Sequence, residues 1–140
     1  MALHINIDSD YLASLKEKDT KVHFMPCKIK SDGEANVSTY FENVIEKSEE
    51  TEVLHNSFRG YPLQGKIYNI PEVYEGLILH ESNKTLSEDT DRNLHLKGAF
   101  NKITYWNWDK VPSKNDAFDQ ALDWIDIAEA LHAPIDTTLM

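Results

Sequence analysis

Gly98-Ala99-Phe100-Asn101-Lys102-Ile103-Thr104-Tyr105-Trp106-Asn107-Trp108 is the stretch on which the fold turns. Phe100, Ile103, Tyr105, Trp106 and Trp108 are aromatic or β-branched, side chains that suit a pleated, half-buried surface. The run reads as one strong strand from Gly98 to Trp108. Working upstream, the polar residues 82–97 read as a mobile loop at the long end for a compact domain. Tyr74 to Glu81 and Leu63 to Ile70 read as strands parted by Pro71. Glu52 to Phe58 reads as another, and Arg59-Gly60-Tyr61-Pro62 turns the chain after it. Glu42 to Glu52 is an acidic surface loop or short helical turn. Lys21 to Lys30 is a further strand, its middle demoted to an edge or bend by Pro26, and Asp32-Gly33 is a tight-turn signal. The chain is mainly β.

Downstream of the aromatic strand the periodicity changes and predicts a C-terminal helix over 114–132. Ser113-Lys114-Asn115-Asp116 follows Pro112 and resembles a capping box, and Ala133-Pro134 supplies the stop. At about 100° per residue, Ala117, Phe118, Ala121, Leu122, Trp124, Ile125, Ile127, Ala128 and Leu131 fill an arc wider than one stripe. Such a helix is expected to be buried from two directions, by its own sheet and by a partner. Asp116, Asp119, Asp123, Asp126 and Glu129 occupy the remaining face. A divalent-metal site of nuclease type would need a partner group beside them, and between Asp116 and Glu129 the sequence has no basic or His residue. The spacing is that of any amphipathic helix, so the stripe reads as a solvated face.

Length and charge narrow the function. A chain of 140 residues fits a single domain, residues 1–140. Alone, it could bury about 68–70% of its unfolded surface. Against 14 Lys and Arg stand 24 Asp and Glu, a net charge of −10. That balance argues against gripping phosphates or anionic lipid, both of which need basic groups. The lone Cys27 forms no internal disulfide, the first twenty residues lack the apolar run of a signal peptide, and nothing approaches a membrane span. An intracellular location is expected, with no basic cluster to act as a nuclear address.

Reactive constellations are missing too. His4, His23, His55, His80, His95 and His132 are scattered singly, so no metal set and no metal-binding residue is assigned. Nucleophile elbow and phosphate-binding glycine loops are absent, and no catalytic residue is assigned. Tyr105-Trp106-Asn107-Trp108 could stack bases, but no basic groove stands beside it, so packing is the stronger reading.

Three blocks in order resemble one family, the small non-catalytic C subunit of eukaryotic type 2 ribonuclease H. The first is Val22-His23-Phe24-Met25-Pro26-Cys27. The second is Ser57-Phe58-Arg59-Gly60-Tyr61-Pro62-Leu63-Gln64-Gly65, continuing through Pro71 and Tyr74-Glu75-Gly76-Leu77-Ile78-Leu79. The third is Phe100 to Trp108, then Val111-Pro112 and Trp124 to Ala133. They cover about half of the chain, and Tyr61 and Gln64 depart from the basic residues often found there in relatives.

The resemblance implies a β-barrel-like fold interleaved with the B subunit, a second non-catalytic chain, into a shared triple barrel. The pair would bind the catalytic subunit. The assembled heterotrimer would degrade RNA in RNA/DNA hybrids and incise at single ribonucleotides in DNA, as in ribonucleotide excision repair. This chain would be the non-catalytic accessory subunit, holding no cofactor, with the divalent metal in the catalytic subunit and the hybrid bound only through the complex. A nuclear location follows, with the cytoplasm not excluded. Phe58, Arg59 and Gly60 are expected to form a turn, with Arg59 a buried, hydrogen-bonded structural residue. Tyr105, Trp106, Trp124, Ile125 and Leu131 are expected in packing or partner contact. The alternative is a stand-alone small β-barrel binding a ligand or single-stranded nucleic acid.

Overall fold

The quoted aromatic run is two strands in two different sheets. A computed structural model describes residues 2–82, 87 and 90–135. In chain order the elements are β1 (Leu3–Asn6), α1 (Ser9–Lys16), β2 (Val22–Phe24), α2 (Val37–Tyr40), a 3-10 turn (Glu42–Val44), β3 (Glu46–Lys47) and β4 (Leu54–Phe58). Then follow β5 (Tyr61–Asn69), β6 (Gly76–Glu81), β7 (Arg92–Phe100), β8 (Lys102–Trp108) and α3 (Ala117–His132). The strands form a three-stranded sheet, β1-β7-β6, and a five-stranded sheet, β2-β8-β5-β4-β3. Both are mixed, since β1 lies parallel to β7 and β2 parallel to β8 while the other pairs are antiparallel. Among the described residues both sheets are open and no barrel closes, which corrects the barrel-like expectation.

The switch between sheets falls at Asn101, whose carbonyl accepts a hydrogen bond from the Ile70 N–H at 2.7 Å. Neither Gly nor Pro marks it, so the sequence runs through it as one strand. The loop expected over 82–97 is also too long. β7 begins at Arg92, with Leu94 and Leu96 turned inward and His95 and Lys97 outward. The Arg92 Nε–H donates to Glu81 Oε1 at 2.8 Å and ties the start of β7 to the end of β6. Residues 83–86 and 88–89 of that loop lie outside the described residues.

Each sheet has its own core. In the five-stranded sheet Leu54, Leu63 and Trp106 are buried, with Met25, Phe41, Ile45 and Phe58 packed around them. In the three-stranded sheet Leu15, Leu96 and Ala99 are buried, against Leu12, Leu77 and Leu79. Leu12 and Leu15 come from α1, in a segment to which the sequence pattern assigned no element. Asp8 starts that helix by accepting the Asp10 N–H at 3.0 Å, a side-chain cap on an otherwise unpaired donor.

α3 begins at Ala117 rather than at 114. The Asp116 carboxylate turns back to accept the Ser113 N–H at 2.8 Å and the Asn107 side-chain amide at 2.9 Å. Residues 113–116 are thereby held as a turn, the capping-box contact being made before the helix. Within the single chain α3 is covered from one direction, by its own sheet. Phe118 stacks on Tyr105 at 4.7 Å and on Phe24 at 5.1 Å, so the first turn sits on the five-stranded sheet. Further along, Trp124, Ile127 and Leu131 are exposed.

Candidate functional site

Phe58 and Tyr61 face each other across the ends of β4 and β5, leaving Arg59 and Gly60 as a two-residue hairpin loop. Both have positive φ, 50° and 82°, the backbone of a turn whose twist matches the flanking strands. Gly60 adopts that region without cost, whereas a side chain there is strained. Arg59 is not buried. It is exposed, with its guanidinium 5.8 Å from the centre of the Phe58 ring. The expectation of a buried Arg fails because the hairpin tip points its side chain outward.

Trp106 is the centre of the five-stranded sheet and is 0% exposed. It lies opposite Gly65, and a Cβ at that position would stand 2.6 Å from the indole. The missing side chain on β5 is therefore the space the indole fills. The indole N–H donates to His23 Nδ1 at 3.1 Å. Indole is a donor only, so Nδ1 accepts and the ring proton sits on Nε2. That proton is directed at Glu42 Oε1, 3.2 Å away. A histidine that the sequence shows as isolated thus couples β2, β8 and the turn after α2.

Tyr105 is half-buried under Phe118, within an aromatic group that includes Phe24 and Tyr68. Beside it the acidic stripe departs from a solvated face, because Asp119 is only 4% exposed. Its carboxylate accepts the Tyr68 hydroxyl at 2.7 Å and pairs with Lys114 at 3.0 Å. The Tyr68 hydrogen bond and Lys114 hold the Asp119 carboxyl below the usual carboxylate range, against the opposing effect of burial. Burial, followed by Asp119, pushes the Tyr68 phenol above its ordinary range. Sequence periodicity missed this residue, since its partner lies 51 positions away. The other helix positions divide. Ile125 is half-buried, whereas Trp124 is 67% and Leu131 75% exposed.

Among the described residues no three His, Cys, Asp or Glu side chains gather where a metal ion could be held. Nor is any described helix long and apolar enough to cross a membrane. The arrangement is one of packed aromatics, open strand edges and uncovered apolar side chains.

Residues 21–131 match the model of a family described as the ribonuclease H2 non-catalytic subunit (Ylr154p-like). The chain belongs to that family. As a non-catalytic subunit of ribonuclease H2, it is similar to the ribonuclease H2 C subunit of Mus musculus, 25% identical over 138 residues, which cover 82% of either chain. It is also similar to the ribonuclease H2 C subunit of Bos taurus, 23% identical with 81% of either chain covered. A Schizosaccharomyces pombe protein is 29% identical over 77% of this chain and 80% of its own length. The match to the ribonuclease H2 family takes in the whole five-stranded sheet, β6, β7 and α3 as far as Leu131, and begins after β1 and α1.

Proposed function

We propose that the chain serves in the assembly of ribonuclease H2, completing its fold against the B subunit and joining with it to the catalytic subunit. One observation carries the reading. A folded monomer of this mass, 16.1 kDa, exposes about 7,400 Å², yet the chain exposes 11371 Å². The excess, about 4,000 Å² on the same scaling, is far more than the ~800 Å² per partner of a standard interface. Open sheets supply the means, since β1, β6 and β2 are edge strands whose unpaired backbone groups can accept another chain. Interleaving of that kind into a triple barrel would close what is open in the single chain. The stand-alone barrel is disfavoured by the same openness.

In this role the chain supplies shape, while hybrid cleavage, ribonucleotide incision and the divalent metal belong to the catalytic subunit. Binding the hybrid through the complex suits a chain of net charge −10. A nuclear location belongs to the same reading, because ribonucleotides embedded in DNA are the substrate. Co-expression with the other two proteins of the heterotrimer tests it. One stoichiometric complex that cleaves RNA/DNA hybrids is expected, and hybrid cleavage should stay near normal when Asp119, Asp123 and Asp126 are changed together to Asn, if the complex remains intact. Recovery of this chain as a stable monomer, free of both other proteins, overturns the reading.

A further inference from the structure

We propose that Ser31 is a phosphorylation site, modified from ATP by a protein kinase that reads the two carboxylates following it, Asp32 and Glu34. Such a kinase needs an accepting hydroxyl, carboxylates at fixed offsets after it, and a segment free to enter its cleft. Among the described residues four hydroxyls have a carboxylate three positions on: Ser14, Ser31, Thr39 and Ser113. The structure separates them. Ser14 is held in α1, where its hydroxyl donates to the Tyr11 carbonyl at 2.7 Å. Thr39 lies in α2, and its acid, Glu42, is engaged by Lys21 and His23. Ser113 has its acid, Asp116, folded back onto its own N–H at 2.8 Å. Ser31 is the one left unconstrained, and it alone of the four is followed directly by an acid.

Accessibility follows from the backbone. Residues 28–36 are exposed and belong to no helix or strand. Among the described residues, none from Cys27 to Glu34 makes a hydrogen bond, ion pair or ring contact. The segment therefore enters a cleft without breaking one, at little cost in local opening. Its near end stays fixed, because the Pro26 carbonyl accepts the Trp108 indole N–H at 3.0 Å. Lys28 and Lys30 stand before the hydroxyl, so a kinase that reads cations there is the competitor. Charge decides against it, since the field of a chain at −10 draws a basic groove and repels an acidic one. In the transfer a bond forms between Ser31 Oγ and the γ-phosphorus as the bond to the β–γ bridging oxygen breaks. ADP leaves, and the hydroxyl proton passes to the catalytic carboxylate of the kinase. The product carries a net charge of about −12, with its new dianion within reach of Lys28 and Lys30 on the same segment.

The test incubates the full chain, in its co-expressed complex, with radiolabelled ATP and a carboxylate-directed Ser/Thr protein kinase, and maps the label by mass spectrometry of peptides. One phosphate on Ser31 is expected, and Ser31→Ala should remove it. Asp32→Ala with Glu34→Ala should lower kcat/KM about tenfold or more, through lost charged contacts in the kinase groove, whereas Lys28→Ala with Lys30→Ala should leave it at the wild-type level or above. All of these positions are exposed, and recovery of the intact complex checks that each variant folds. Label that persists in Ser31→Ala overturns the proposal. So does label that survives loss of both carboxylates but not of both lysines, or that falls equally on Ser14, Thr39 and Ser113. A complex that takes no label, when a free peptide of residues 25–36 does, overturns it as well, because a partner then covers the site.

Discussion

The five-stranded sheet buries Trp106 between Gly65 and His23 and draws its cover from Met25, Phe41 and Ile45 in segments that connect its strands and from Phe58 at the end of β4. By contrast, the three-stranded sheet takes its cover, Leu12 and Leu15, from an N-terminal helix that lies before the family match. One sheet is covered by residues within the matched span and the other by residues that lie before it. The difference teaches where the ribonuclease H2 fold resides in this chain. The Trp106 sheet lies wholly within the match, and the smaller sheet, two of whose three strands also fall within it, has a separate core.

The sharpest way to break that comparison is Trp106→Ala. Removing a fully buried Trp costs about 3–5 kcal/mol, and His23 also loses its donor. Urea unfolding of the assembled complex should show the loss, and a midpoint within error of the wild type would end the view of Trp106 as the centre. Leu15→Ala should cost about 2–5 kcal/mol, towards the lower end because only eight residues of helix are involved. Amide exchange should speed up in β6 and β7 and not in β5 and β8. Equal acceleration in both sheets would show that the cores are not separate.

Tyr68→Phe is the smallest change and asks whether α3 counts with the larger sheet. Loss of one hydrogen bond to a charged, buried group costs about 1.5–3 kcal/mol. The sign of its pH dependence follows from Asp119, whose carboxyl is lowered from 3.8 by folding. Its stabilisation is complete above that ordinary value and is lost as the pH falls through the lower folded one. Wild-type stability should therefore drop more steeply below about pH 4 than that of the Phe variant. Parallel curves in a urea titration between neutral and acid pH would detach the anchor from the stability of the sheet.

Most of the larger sheet was legible because its strands carry local signals. Aromatic and β-branched residues mark β8, and Arg59-Gly60 marks the hairpin between β4 and β5. α3 was legible from its period, although its start was shifted by the turn that Asp116 makes. What escaped the sequence depends on distance. β1, Leu-His-Ile-Asn, is four residues long and exists through its pairing with β7. Asn101 divides an unbroken β pattern because Ile70 binds its carbonyl from another segment. Asp119 has the spacing of a surface acid, and only Tyr68 distinguishes it from Asp123. Family resemblance named the role of the chain without reaching these contacts, since none of them lies in the quoted motifs alone.

The parallel pairing of β1 with β7 also governs the order in which the molecule is made. Leu3 lies opposite Arg92 in the ladder, so β1 leaves the ribosome well before the strand it pairs with. At about 5–20 residues per second, that wait lasts roughly 4–18 s, long compared with the microseconds in which a hairpin such as β4–β5 can form. During the interval Leu3, Ile5 and the helix after them lack the strands they pair and pack with. The β4–β5 hairpin has time to form first, and β1 is put in place after strands made later than itself.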